Sequence, residues 1–136
     1  MTFNYLPRPD SASAAIDLAI VCDDVEVMAR FYGDALGLPD AGTTESSTGP
    51  MRRFRLGSSH LKLRPADDDV VRPSRASLSG VTGASYWSAH VDALDEALDA
   101  CTAGGATLVR RATSDSGVSF AILEDVEGNP FELYSF

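Results

Sequence analysis

The sequence predicts an α+β chain built from two tandem βαβββ repeats. Two observations predict it. The order of elements in the first half, a strand, a helix and then two or three strands, recurs in the second half. Equivalent features also recur about seventy residues apart, with Val21–Asp24 matching Val91–Ala93 and Lys62 matching Glu132. A repeat of this kind fixes the architecture. Each half is expected to form a curved sheet with its helix on the convex side. Side by side, the halves leave a cup-like mixed sheet whose mouth suits a small molecule.

The elements follow in order. Residues 1–13 read as an N-terminal arm and residues 14–66 as the first repeat. Ile16–Cys22 is short, apolar and β-branched, hence a strand. Asp23 and Asp24 offer N-cap oxygens to a helix. In that helix Met28, Phe31, Tyr32, Ala35 and Leu36 form one apolar face, and Gly37 stops it. Residues 38–50 are rich in Gly, Thr and Ser and read as loop or weak strand. Residues 51–56 and 60–63 read as a hairpin turning at Gly57. Residues 67–83 are polar, with three consecutive aspartates, and read as a linker. Residues 84–136 form the second repeat. Here 85–91 is a strand, Asp92 a helix cap, and Leu94, Ala97, Leu98 and Cys101 an apolar helical face. Gly104 and Gly105 end the helix. Residues 106–111, 118–123 and 130–136 are strands, with a turn at Asp125–Asn129.

Composition bounds the function. The chain has 136 residues, 44% of them hydrophobic and 23% charged, enough for one domain with a real core. Its formal charge of −9, from 20 acidic and 11 basic residues, opposes nucleic acid and anionic membranes as partners. No apolar run reaches the length of a membrane helix, and residues 1–13 carry no secretory or transit pattern. A cytoplasmic location is expected. Cys22 and Cys101 lie in apolar stretches and read as buried thiols. Arg52, Arg53 and Arg55 read as a solvated strand edge.

Two motifs carry a resemblance. The first helix ends Phe31-Tyr32 followed by Leu36-Gly37-Leu38, and the chain closes on Asp125-Val126-Glu127-Gly128-Asn129-Pro130-Phe131-Glu132-Leu133. Together they resemble the vicinal oxygen chelate superfamily, the glyoxalase/bleomycin-resistance/extradiol-dioxygenase fold, over about residues 15–136. The resemblance implies the cup-like fold, a small-molecule pocket and homodimerisation. It also implies four ligand positions for a divalent metal, two per repeat, which here are Asp17, Lys62, Tyr86 and Glu132.

These residues depart from a metal set. An ammonium has no lone pair to give, and a phenol is a poor ligand at neutral pH. The expectation is therefore no metal and no cofactor. If a metal binds, Glu132, Asp17, His60 and His90 are its candidate ligands. Without a metal, Glu132 or Asp17 would act as general base, its pKa raised by partial burial, while Lys62 and Tyr86 stabilise an oxyanion. His60, His90, Tyr134 and Phe54 are the candidate substrate-binding residues. Isomerase- or lyase-type chemistry would suit the set. A drug-sequestering binder is the alternative, and a metal-dependent lyase or dioxygenase or a pure interaction domain are further ones. The same groups also suit a structural network in which Lys62 pairs with Asp17 or Glu132.

Overall fold

The computed structural model describes residues 15–74 and 77–136, so the arm at 1–13 lies outside the described residues. Eight strands and two helices follow the expected βαβββ order twice. β1 (Leu18–Cys22), α1 (Val25–Arg30), β2 (Asp40–Ser46), β3 (Gly49–Leu56) and β4 (Ser59–Pro65) form the first repeat. β5 (Trp87–His90), α2 (Leu94–Ala103), β6 (Thr107–Thr113), β7 (Ser119–Glu124) and β8 (Pro130–Ser135) form the second. The sheets have orders β1-β4-β3-β2 and β5-β8-β7-β6, so they match strand for strand. In each, the first strand runs parallel to the last and the other pairings are antiparallel.

Each sheet has a helix-covered face and an open face, set by the period-two alternation of strands. In β4, Leu61 and Leu63 are buried while His60, Lys62 and Arg64 alternate onto the open face. In β8, Phe131 and Leu133 are buried while Glu132 and Tyr134 alternate outward. One apolar cluster joins the helix-covered faces of both repeats. Phe31 from the first repeat meets Phe131 edge-on at 6.0 Å, and Trp87 stacks on Phe131 at 4.9 Å. Both thiols are buried in this cluster. Burial, aided by Glu127 and Asp125, pushes the Cys22 thiol up to about 12, and burial alone lifts Cys101 to about 11.

Two local departures from the sequence reading have clear causes. Asp24 caps α1, accepting from the Val27 amide at 3.1 Å, but Asp92 does not cap α2. The Val91 amide is still bonded to Tyr134, so the strand path runs on and Ala93 becomes the N-cap. Acidic Asp95 and Glu96 in the first turn face the helix dipole instead. Residues 40–46 form a full strand although they are mostly exposed and polar, because β3 supplies their ladder.

α1 continues into a π-helical turn, Phe31–Ala35, closed by Leu36 N–H donating to Phe31 O at 2.9 Å. This turn brings Ala35 against the end of α2. A methyl group on Gly104 would lie 2.3 Å from the Ala35 Cβ. Gly104 has a φ of −83°, so the backbone accepts a side chain and only the contact forbids it. Gly104→Ala is expected to cost about 1–3 kcal/mol through overpacking. Combining it with Ala35→Gly should recover part of that loss, read as the urea midpoints of the three variants.

Candidate functional site

β1 and β5 are terminal in their sheets, and residues of both line the same cavities. A cavity of about 670 Å³ opens between their edges, with walls from the start of β4 and the end of β8. Leu18, Leu61 and Trp87 give it an apolar floor, and His60, His90 and Tyr134 enter from the open faces. Tyr86 and Ser88 complete the β5 wall. A second cleft of about 460 Å³ runs along β1 beneath the linker, but Tyr86 is the only sequence-predicted site residue it holds.

The four positions implied by the family resemblance are related by the repeat. Asp17 and Tyr86 each stand one residue before the first strand of their repeat. Lys62 lies beside Ala19, and Glu132 lies beside Ser88, at corresponding registers. The two halves then differ. Asp17 accepts the His60 amide at 2.7 Å, and its carboxylate lies 3.6 Å from both His60 Nδ1 and Lys62 Nζ. Glu132 instead accepts the Ser88 hydroxyl at 2.6 Å. Ser88 was missed in the sequence, although its place opposite Glu132 follows from the parallel β5–β8 register.

The resulting picture differs from the sequence reading in two ways. The Asp17 carboxyl lies below the ordinary carboxylate range, the opposite of what a base poised near neutrality requires. The His60 backbone amide is the main cause; desolvation opposes it, and the neighbouring Lys62 and His60 add smaller attractions. Phe54 is not a cup residue. It pairs with core-facing Leu61, is 2% exposed and lies against Gly33 under the first helix. Alternation gives the open face to its neighbours Arg53 and Arg55. Of the two partners the sequence offered Lys62, Asp17 is the one it meets.

His90 stacks on Phe136 at 5.3 Å and meets Tyr134 edge-on at 5.6 Å. Its nearest carboxylate is fully exposed Asp92, at 4.0 Å. The fit to a divalent ion is poor. The one amine of the set sits against Asp17, and among the described residues no three His, Cys, Asp or Glu side chains form a metal-holding group.

The lowered pKa of Asp17 sets a pH dependence. A depressed carboxylate stabilises the fold above its unfolded pKa, and that contribution is lost as pH falls through the folded value. The window is therefore below about pH 4. Asp17→Asn should lose stability relative to the native chain at pH 5 and converge with it towards pH 2. Asp17 is more than a third exposed, so solvent screening keeps the difference small. Urea midpoints across that range would read it.

Two four-stranded sheets, each begun by a parallel edge strand and covered by one helix, with a cleft between those edges, define the glyoxalase fold class. The chain belongs to the glyoxalase-like domain family, whose model matches residues 13–134, and so to the vicinal oxygen chelate superfamily. No curated protein matches it. Solved structures agree in fold. A glyoxalase family protein from Bacillus cereus is similar with a TM-score of 0.74 at 18% identity, covering 88% of this chain and 91% of its own. A lactoylglutathione lyase from Agrobacterium tumefaciens gives 0.65 at 20% identity, covering 94% and 96%. TioX from Micromonospora sp. ML1 gives 0.65 at 16% identity, covering 89% and 94%. Among the described residues no helix is long and apolar enough to cross a membrane.

Proposed function

We propose that the chain binds a small organic molecule in the inter-sheet cavity and moves protons on it without a metal, in isomerase- or lyase-type chemistry. One observation carries this reading. Two polar groups on the cavity wall are each backed by a carboxylate, His60 by Asp17 and Ser88 by Glu132. An imidazole beside a carboxylate is the common way to take and return a proton near neutral pH. A serine hydroxyl donating to a carboxylate can pass a proton onwards to it. Asp17 is then a positioning residue. It stays ionised and holds His60 through its backbone amide, with its carboxylate 3.6 Å from the ring Nδ1. Glu132 is the proton acceptor behind Ser88. Lys62, adjacent on the same face, would stabilise developing negative charge.

A second reading is sequestration, in which the guest leaves unchanged. The apolar and aromatic share of the lining favours it, since Glu132, Asp17 and Lys62 stand behind the wall rather than in it. The two separate by stoichiometry. With a ligand found by thermal-shift screening of metal-free protein, an enzyme converts many equivalents and a binder saturates at one. Glu132→Gln and His60→Asn should each lower turnover by about 10²–10⁴-fold, the usual share of general acid–base catalysis. Unchanged turnover in both would sink the proton-transfer reading, and activity only on adding iron, manganese, nickel or zinc would sink its metal independence.

A further inference from the structure

We infer that the ligand of this cavity is an organic anion, its carboxylate or phosphate held by the open face of the first sheet and its apolar body in the cavity. The inference rests on the cavity being a ligand site, as proposed above.

The chain carries a formal charge of −9, yet one sheet face runs against that balance. Lys62 pairs in register with Arg53, and His60 with Arg55, and directly opposed partners share a face. Arg64 follows Lys62 by two residues on the same strand and takes the same face. Four permanent cations therefore share a surface that begins at His60, a wall of the cavity. Asp17 is the carboxylate within reach, and it is committed to Lys62 and His60. Arg64 donates to the Ser47 hydroxyl at 2.8 Å. Among the described residues Arg53 and Arg55 make no ion pair.

The contrast with the other face of β3 is direct. Arg52 meets Glu26 at 3.1 Å and Asp40 at 3.0 Å, and its guanidinium lies 5.7 Å from the Phe54 ring centre. Arg111 likewise has Asp95, and Arg72 has Asp23. Three arginines outside this face are thus neutralised by carboxylates, whereas among the described residues Arg30 and Arg110, each on a different element, are single unpaired cations and form no cluster. Like charges directly opposed across strands destabilise a sheet. Asp17 answers Lys62 alone, and a face that leaves Arg53 and Arg55 beside it without an acid of their own has the geometry to take further negative charge from a ligand. Guanidinium forks suit carboxylate and phosphate oxygens. The open face of the second sheet is less charged, with Ile122 buried and Phe120 beneath Arg110. Charge is thus concentrated on one side of the cleft.

Three probes of one shape separate the possibilities by isothermal titration calorimetry on the full chain: 2-naphthol, 2-naphthoate and 2-naphthyl phosphate. The inference expects both anions, or one of them, to bind at least tenfold tighter than the neutral alcohol, and more weakly as salt rises. Binding of the phosphate alone would assign the face to phosphates. Arg53→Gln/Arg55→Gln should reduce the anions to the level of 2-naphthol while leaving 2-naphthol unchanged, which also shows that the variant is folded. Arg55→Gln alone should give an intermediate loss. Equal affinity for all three probes, or anion binding untouched by the double variant, would overturn the inference and leave the cavity reading standing. No binding of any probe would overturn the cavity reading, and the inference with it.

Discussion

Asp125→Ala is expected to lower the unfolding free energy by about 3–5 kcal/mol, because several donors lose their acceptor together and each buried one left unsatisfied costs about 1–3 kcal/mol. Asp125 is 3% exposed, and its carboxylate serves two tasks. Oδ1 accepts the amides of Glu127 at 2.9 Å and Asn129 at 3.0 Å, which closes the turn before β8. Oδ2 accepts the Tyr32 hydroxyl at 2.6 Å, and Asn129 Nδ2 donates to both oxygens. Tyr32 belongs to the first repeat and is fully buried. Burial first, then Asp125, holds its phenol well above the ordinary range and so in the donating form. Alanine would leave the phenol, two amides and the Asn129 side chain without this acceptor, in a chain whose whole stability is about 5–15 kcal/mol. The Glu127 carboxylate adds a second clamp by accepting the Asp23 and Asp24 amides at 2.8 and 2.9 Å, at the N-terminus of α1. Tyr32→Phe removes one bond and should cost only about 1–2 kcal/mol. Urea unfolding of the three proteins tests the order. A loss below about 1 kcal/mol for Asp125→Ala would show that the turn does not tie the repeats together.

The two motifs that suggested the family thus meet in space. Phe31-Tyr32 and the Asp125–Asn129 turn touch through the Tyr32–Asp125 bond, across 93 positions of sequence. Local pattern could supply each motif, because helical and strand periodicities are local. It could supply the turn bonds of Asp125, which are also local. It could not supply the bond between the motifs, which depends on how the repeats pack. The same division explains the site. Alternation placed Lys62, His60, Glu132 and Tyr134 on open faces, since it needs only a strand and one buried neighbour. Phe54 was misassigned although alternation was available, because Arg52, Arg53 and Arg55 left the inward register undecided until Leu61 was known as its partner. The pairing of Asp17 with His60 and Lys62 required the parallel β1–β4 register, and the Ser88–Glu132 bond required that of β5 and β8. Parallel partners lie far apart in sequence and leave no short-range signal. The direction of the Asp17 pKa followed from that register too, since its main cause is an amide contributed by β4.

Phe131→Ala is expected to cost about 3–5 kcal/mol, the range for removing a buried aromatic ring, and to disturb the cavity at the same time. Phe131 is fully buried and pairs with Trp87 across the β5–β8 ladder. The two rings are nearly parallel, 9° apart, with centroids at 4.9 Å. Its other side meets Phe31 at 6.0 Å, so the ring is shared between repeats. Trp87 is also floor to the cavity. Truncating Phe131 removes the surface on which that floor rests and opens a void into which the indole can tilt. Phe131→Leu keeps much of the volume and should cost about half as much or less. Trp87 is the only tryptophan, so its fluorescence reports the change without a label. The expected pattern is a lowered urea midpoint in both variants and a red-shifted native emission in Phe131→Ala alone. Weaker binding of 2-naphthol should accompany that shift, because the neutral probe senses the apolar floor and not the basic face. Native emission and 2-naphthol affinity both unchanged in a destabilised Phe131→Ala would separate the core from the cavity, and the binding site would then have to be sought away from the floor that Trp87 provides.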